Sequence, residues 1–293
     1  MATIYTSIDS NIRKTWILMI VFFVFIVVLG LYISDYYGSP LILYIAVIFS
    51  LFMNVGAFWY GDKIVMKLSR AREISSAEDP EIFRLVENIS ITAGLPMPKI
   101  YLINDSAPNA FATGRNKDHG AIAVTTGLRD LLDKTETEGV IAHELSHIKN
   151  HDTLIATVVV VLVGLVSILA DFFVRSQFLG NSRDNRNSGP LAVIGFVLVL
   201  LSPIIATIIQ LAISRKREFL ADASASLLTR YPEGLASALK KISSYGMPMK
   251  KVHNATAHLF ISNPFGSKTN FSFAKMFMTH PPIEERIKAL IGE

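Results

Sequence analysis

The chain has 293 residues, a net charge of +4 and no cysteine. Hydrophobic residues make up 51% of it and charged residues only 18%, against about 25% in an ordinary soluble protein. With a mean hydropathy of +0.42, this composition indicates a membrane protein. The lack of cysteine excludes disulfides and thiolate metal ligands. There is no basic run interleaved with aromatic residues, so the sequence does not indicate nucleic-acid binding.

Four apolar runs are each long enough to cross a bilayer, which takes about 20 residues per helix. Arg13 and Lys14 precede the first run, but no small-residue cleavage site follows it, so we interpret it as a retained anchor and not as a signal peptide. The third and fourth runs have a second interpretation, a buried hairpin of core helices. The runs are 16–33, 41–60, 154–174 and 191–213.

Basic residues crowd the exit of the second run and follow the fourth run. By the positive-inside rule, both chain ends and segment 61–152 are predicted to face the cytoplasm. Three arginines in the loop between the third and fourth runs oppose this orientation. The basic residues on the predicted cytoplasmic side are Lys63, Lys67, Arg70, Arg72, Lys149, Arg215, Lys216 and Arg217, and those in the loop are Arg175, Arg183 and Arg186.

The polar segment after the second run is predicted to form a helix, a small sheet and another helix. Residues 80–93 carry apolar side chains at helical spacing and end at Gly94. Three short extended pieces follow, at 100–103, 109–114 and 121–126, between turn residues. The second helix is predicted at 136–150.

That second helix contains the pattern H-E-x-x-H at His143, Glu144 and His147. Residues four apart share one face of a helix, so both imidazoles can point at one tetrahedral zinc ion. The carboxylate of Glu144 would lie beside the metal, where it can take a proton from water. Chance occurrence of so short a pattern is the alternative. The predicted helix is the context that the motif requires, and it favours a zinc hydrolase, most readily a peptidase.

A hydrolytic zinc site of this type needs a third protein ligand. His151 follows on the same helix face but lies about one turn too far along. Glu218 lies in a predicted helix after the chain has crossed the membrane twice more, which returns it to the side of His147. Asp222, one turn later, could accept a hydrogen bond from a ligand histidine and fix its tautomer. The alternative for Glu218 is a surface carboxylate paired with a neighbouring arginine.

The chain resembles the bacterial HtpX-type membrane metalloproteases, a family of integral-membrane gluzincins that also includes the eukaryotic CAAX prenyl protease. The resemblance covers nearly the whole chain and rests on the order and spacing of the four runs and four motifs. The motifs are Asn-Ala-Phe-Ala-Thr-Gly at 109–114, His-Glu-Leu-Ser-His at 143–147, Arg-Glu-Phe-Leu-Ala-Asp at 217–222 and Thr-His-Pro-Pro at 279–282.

The resemblance implies a role for each of these motifs. One Zn²⁺ per chain would be held by His143, His147 and Glu218, with Glu144 as the catalytic base. His280 would steady the tetrahedral intermediate, although a turn residue before two prolines is the alternative, and Arg286 would shape that end of the site. A substrate-aligning edge strand would bind an extended substrate through its backbone, although a strand with an ordinary edge is the alternative. The residues of this strand are Asn109, Ala110, Phe111 and Ala112.

We therefore predict an α+β membrane protein with four transmembrane helices and a mainly helical, zincin-like catalytic domain with a small β-sheet. Segments 1–60 and 153–213 would be transmembrane hairpins, and 61–152 with 214–293 would form one discontinuous cytoplasmic zinc peptidase domain.

The predicted function is zinc-dependent endopeptidase, and the resemblance implies quality control in the bacterial inner membrane. Its partners would be the lipid bilayer and unfolded or damaged membrane proteins, with no nucleic acid. A specific processing peptidase and a non-enzymatic membrane adaptor or holdase are the alternative functions.

Overall fold

The computed structural model describes residues 4–179, 215–266 and 281–292, and within them the fold is mostly helical with one small sheet. The N-terminal elements are α1 (Ile4–Tyr37), α2 (Pro40–Leu68), β1 (Arg72–Glu73), α3 (Pro80–Ala93), β2 (Lys99–Ile103), β3 (Ala110–Gly114) and β4 (Gly120–Thr125). The later elements are α4 (Thr126–Leu131), α5 (Lys134–Lys149), α6 (Asp152–Leu179), α7 (Arg215–Thr229), α8 (Pro232–Tyr245) and α9 (Ile283–Ile291).

Helices α1 and α2 form a hairpin, and both are long and apolar enough to cross a membrane. Gly38 makes the turn between them with a positive φ of 62°, a conformation that glycine adopts at no steric cost. Farther along the hairpin, Gly30 brings the two helices close, because a Cβ built there would lie 2.3 Å from the Cβ of Ala46. Small residues at such crossings let helices pack in a membrane. The first two predicted spans are thus confirmed as candidate spans.

The third apolar run lies within α6, which packs against both α1 and α2. This helix counts as a third candidate span only together with α5, from which it is bent by 82°. The fourth run, 191–213, lies outside the described residues. Among the described residues, the structure therefore shows two of the four predicted spans as candidate spans and the third as a helix packed on them.

The sheet has four strands in the order β1-β2-β4-β3. Strands β2 and β4 are parallel, whereas β1 and β3 pair antiparallel to their neighbours. Three strands match the predicted extended pieces, and the two-residue β1 was not predicted because it is too short to show an alternating pattern. The topology leaves β3 at one edge of the sheet.

Helix α5 lies in the middle of the core and packs against α3, α7, α8 and β3. Its apolar residues Val140, Ile141 and Leu145 are fully buried, as their spacing predicts. A capping box begins the helix, in which Asp133 and Glu136 each accept a hydrogen bond from the other's backbone N–H, both at 2.9 Å. Glu136 also accepts a hydrogen bond from Lys241 on α8 at 2.7 Å. These contacts fix the start of the helix that carries the H-E-x-x-H motif.

We expect Gly139→Ala to lower the thermal unfolding midpoint of the detergent-purified protein. A Cβ at this position would lie 2.8 Å from the backbone nitrogen of Leu235 and 2.9 Å from its Cα, so α8 would have to move away from α5. Such overpacking costs about 1–3 kcal/mol. Gly56→Ala is the matched control, because a Cβ there meets nothing within 4 Å and alanine favours a helix. An unchanged midpoint for Gly139→Ala would contradict the close α5–α8 packing.

Candidate metal centre

The two histidines of the motif meet on one face of α5. Their rings pack edge to face with centroids 4.7 Å apart, and the Nε2 atoms of His143 and His147 lie 3.1 Å from each other. His143 and the intervening Glu144 are buried, and the His147 side chain is 14% exposed. The four-residue spacing thus brings two ring nitrogens to one point next to a carboxylate.

Glu218, in the first turn of α7, adds its carboxylate to this point. One oxygen, Oε1, lies 3.5 Å from His147 Nε2, and Oε2 lies 3.6 Å from His143 Nε2. Ligand atoms of His143, His147 and Glu218 all lie within 4.8 Å of one another. Two nitrogens bound to one zinc ion at about 2.0–2.1 Å in tetrahedral geometry lie about 3.3 Å apart, so the observed separations fit a shared metal ion.

Asp222 and Arg286 fix the His143 ring on its Nδ1 side, away from the point where the Nε2 atoms meet. The Nδ1 of His143 lies 2.9 Å from Asp222 Oδ1, so the ring donates this proton to the carboxylate and keeps its lone pair on Nε2. Arg286, on α9, donates two hydrogen bonds to Asp222, at 2.8 and 2.6 Å, and is completely buried. Its Nη1 is 3.7 Å from Glu218 Oε2, so the guanidinium also neutralises charge at that residue.

Asp152 holds His147 in the same way, although the sequence analysis gave it no role. Its Oδ2 lies 3.0 Å from Nδ1 of His147, and Asp152 is the first residue of α6. Its carboxylate also accepts a hydrogen bond at 2.8 Å from the side chain of Asn11 on α1. The signal in the sequence was an acidic residue five positions after the second motif histidine, directly before an apolar run.

The two histidines differ in their proton affinity. Burial and the charge of Arg286 lower the pKa of His143 to about 4. Burial also acts to lower the pKa of His147, but the hydrogen bond to Asp152 and the charge of Glu218 outweigh it and raise this pKa to about 9. Burial acts to raise the pKa of Asp222, but the hydrogen bonds from His143 and Arg286 outweigh it and hold this pKa below its usual range. At neutral pH and without a metal, His147 is therefore the ring that carries a second proton.

His151 and His280 stand apart from this cluster. The chain bends between α5 and α6 at His151, which has a positive φ of 57°, and it is absent from the group of potential ligands found among the described residues. His280 lies outside the described residues. The geometry of the site therefore rests on residues of α5, α6, α7 and α9.

The predicted substrate strand is β3 with the preceding residue, Asn109. The carbonyl of Asn109 accepts a hydrogen bond from Thr125 N at 2.9 Å, so Ala110 and Ala112 direct their backbone groups away from β4. The chain itself covers the start of this edge, since Ile261 N donates to Ala110 O at 2.9 Å. No backbone hydrogen bond from outside the sheet reaches Ala112 in the described part of the chain.

Asn109 and Phe111 hold the covering segment in place. The Asn109 side chain donates to Ser262 O at 3.0 Å and accepts from Ser262 N at 3.2 Å. Phe111 is fully buried, and its ring packs edge to face on Phe260 with centroids 5.0 Å apart. The side chains of Asn109 and Phe111 therefore make contacts within the protein. Ala112 also directs its backbone groups outward, and it lies beyond the part of β3 that Ile261 covers.

The sequence model of peptidase family M48 matches residues 76–293. The protease HtpX homolog of Dictyoglomus turgidum is 44% identical over 289 residues, covering 98% of this chain and 94% of the relative. The protease HtpX homolog of Tropheryma whipplei is 42% identical over 286 residues, covering 98% of this chain and 97% of the relative.

Among solved structures, S. mikatae Ste24p matches 97% of the chain with a TM-score of 0.51 and 23% identity, a likeness of fold. The chain spans 66% of the length of Ste24p. The family match covers most of the chain and includes the three clustered ligand candidates. The chain therefore belongs to peptidase family M48 and is an integral-membrane metalloprotease.

Proposed function

We propose that the protein is a zinc-dependent endopeptidase that cuts unfolded segments of membrane proteins at the cytoplasmic membrane surface. The observation that carries this proposal is the convergence of His143, His147 and Glu218 on one point, with both histidine Nδ1 atoms held by carboxylates. Two histidines and one carboxylate are the ligands of hydrolytic zinc sites, and they leave a coordination position open. When bound there, zinc supplies a Lewis acid that polarises the scissile carbonyl and lowers the pKa of water.

Glu144 is the proposed general base. It follows His143 directly on α5 and is 2% exposed, so its carboxylate works in a site largely shielded from bulk water. In the proposed reaction it takes the proton of the attacking water and passes it to the leaving amine nitrogen. We propose that His280 stabilises the oxyanion, a role that the family resemblance implies. Arg286 and Asp222 hold the His143 ring throughout.

Substrate backbone is proposed to pair with the outer edge of β3 at Ala112. An extended segment added there would continue the sheet through main-chain hydrogen bonds, which accept many sequences. A cavity of about 500 Å³ lies between the start of β3 and the start of α9, where apolar substrate side chains would fit. Its apolar lining includes Ala107, Ile242, Met247, Met249, Phe260, Pro264, Phe265 and Ile283. Exposed backbone and apolar side chains are what an unfolded membrane-protein segment presents.

The site's place in the fold supports action at the membrane. Asp152 both holds His147 and begins α6, which packs on the two candidate spans. Residues 61–152 and 214–293 are proposed to form one catalytic domain, and the packing of α5 on α7 and α8 supports this. The basic residues at the end of α2, Lys63 and Lys67, favour a cytoplasmic position. We propose a quality-control role in the inner membrane, which the family resemblance implies and which this position and sequence-tolerant binding support.

Glu144→Gln is expected to reduce cleavage of an unfolded model protein by about 10²–10⁴-fold, because the amide cannot take a proton from water. The zinc content of the purified protein should stay at about one per chain, since the three proposed ligands are untouched. Cleavage rate and bound zinc are measured on the same detergent-purified sample. Full cleavage by Glu144→Gln would contradict the role of Glu144 as the base. A wild-type protein that binds unfolded segments without cutting them would favour the holdase function.

A peptide library would separate broad cleavage from the single consensus of a processing peptidase.

Zinc binding at pH 6 should release about one proton per chain. The metal needs neutral imidazoles. His147, with a pKa of about 9, is protonated at pH 6, whereas His143, with a pKa of about 4, is already neutral. Zinc affinity should accordingly increase about tenfold for each unit that the pH is raised, up to about pH 9. Calorimetry in buffers of different ionisation enthalpy measures the release. Asp152→Asn, which weakens the interaction that raises this pKa, should release less, and zero release by the wild type would contradict the assignment.

Ala112→Pro is expected to abolish cleavage while leaving bound zinc unchanged, because proline removes the outward N–H with which a substrate would pair. Ala112→Ser is the matched control. It keeps the backbone N–H and adds one oxygen atom, so cleavage should persist. The initial cleavage rate and the zinc content are measured for both variants. An equal loss in the two would indicate that side-chain packing matters here and not backbone pairing.

A further inference from the structure

Asn11 is a buried polar residue in the short polar stretch that precedes the apolar part of α1. It lies near the start of α1 and is only 2% exposed. A buried amide has to find hydrogen-bond partners, because leaving it without them is unfavourable. The hydrogen-bond partners of Asn11 lie next to the metal centre and are far from Asn11 in the sequence.

The amide nitrogen of Asn11 donates to Asp152 Oδ1 at 2.8 Å and to the carbonyl of Asn150 at 3.2 Å. The other oxygen of Asp152 accepts from His147 at 3.0 Å. The two oxygens of one carboxylate are thus divided between the transmembrane helix and a metal-ligand histidine. Because both are engaged, Asp152 has a fixed orientation, and with it the ring of His147.

The amide oxygen of Asn11 contacts a second part of the site, next to Glu218. It accepts a hydrogen bond at 2.9 Å from Nη1 of Arg217, the residue directly before Glu218. The same Nη1 lies 3.6 Å from Asp152 Oδ1, and the Arg217 side chain is 11% exposed. One asparagine therefore joins α1 to Asp152, which holds His147, and to Arg217, which precedes Glu218.

We propose that Asn11 is a positioning residue of the metal centre and that α1 is a structural part of the site in addition to crossing the membrane. This inference rests on the proposed function, because it requires a metal at His143, His147 and Glu218. Groups that orient metal ligands from behind change metal affinity by about 10–100-fold when they are lost. Asn11 acts on the ligands through Asp152 and Arg217 and does not touch the metal.

The test uses the full chain in detergent and two leucine variants. Asn11→Leu removes the hydrogen bonds to both Asp152 and Arg217. Asn54→Leu is the matched control, because Asn54 is a buried asparagine in the same hairpin whose amide donates to Ser50 O at 3.1 Å, within α2. Zinc affinity is measured by competition with a chelator. The visible spectrum of the cobalt-substituted protein is recorded as a report on ligand geometry.

We expect zinc affinity to fall about 10–100-fold in Asn11→Leu, with an altered cobalt spectrum, and to remain at the wild-type level in Asn54→Leu. Asn11→Asp is the second variant, in case Asn11→Leu does not fold. It is nearly isosteric and keeps an acceptor for Arg217, but it cannot donate to Asp152, so it should also lose affinity.

Wild-type affinity and an unchanged cobalt spectrum in a folded Asn11 variant would overturn the inference and leave the zinc site standing. An equal loss in Asn54→Leu would also overturn it, because the effect would then come from general damage to the hairpin. A wild-type protein that binds no zinc would overturn the proposed function, and this inference with it.

Discussion

The site depends on two imidazoles whose Nδ1 atoms are held by carboxylates, so that both Nε2 atoms face each other at 3.1 Å. Without a metal, the second proton of His147 can lie between the two nitrogens, and a bound metal ion would take its place. Glu218 adds negative charge at the same point. Every element around the site supports this arrangement: α5 supplies the rings, α6 and α7 supply the carboxylates, and α9 supplies Arg286.

Charge balance explains why so many ionisable groups can be buried together. A lone buried carboxylate is costly, and it is tolerated when it is paired and hydrogen-bonded. Asp222 is paired with Arg286, and Asp152 is shared between His147, Asn11 and the nearby Arg217. The result is a site in which each ring has one permitted orientation. Rings fixed in this way reduce the rearrangement that binding a metal requires.

The sequence predicted what depends on local spacing. The helix at 136–150 follows from its apolar periodicity, and the meeting of His143 and His147 follows from the four-residue repeat of that helix. Glu218 was identified as a ligand candidate because zinc chemistry requires a third ligand, and the structure brings it to the two rings. Three of the four strands were predicted from their composition and turns.

Contacts between distant parts of the chain could not be predicted in this way. Asn11 and Asp152 are 141 residues apart, and nothing in either neighbourhood indicates the other. The hydrogen bond from Ile261 N to Ala110 O is another long-range contact, and it occupies one of the outward backbone groups of β3. The backbone reversal at His151 is local, but a positive φ is uncommon even for histidine, so the residue type alone does not indicate it. These features come from tertiary packing and not from short-range pattern.

The 82° bend between α5 and α6 has a consequence for how substrates arrive. Helix α6 packs against both candidate spans, the bend directs α5 away from it, and His147 lies five residues before the first residue of α6. In the proposed position at the membrane surface, a loop of a neighbouring membrane protein would reach the metal centre with few residues, because an extended chain covers about 3.3 Å per residue. Such a loop would be confined near the site and would have a high effective concentration there, whereas a soluble unfolded chain would have to arrive by diffusion in three dimensions.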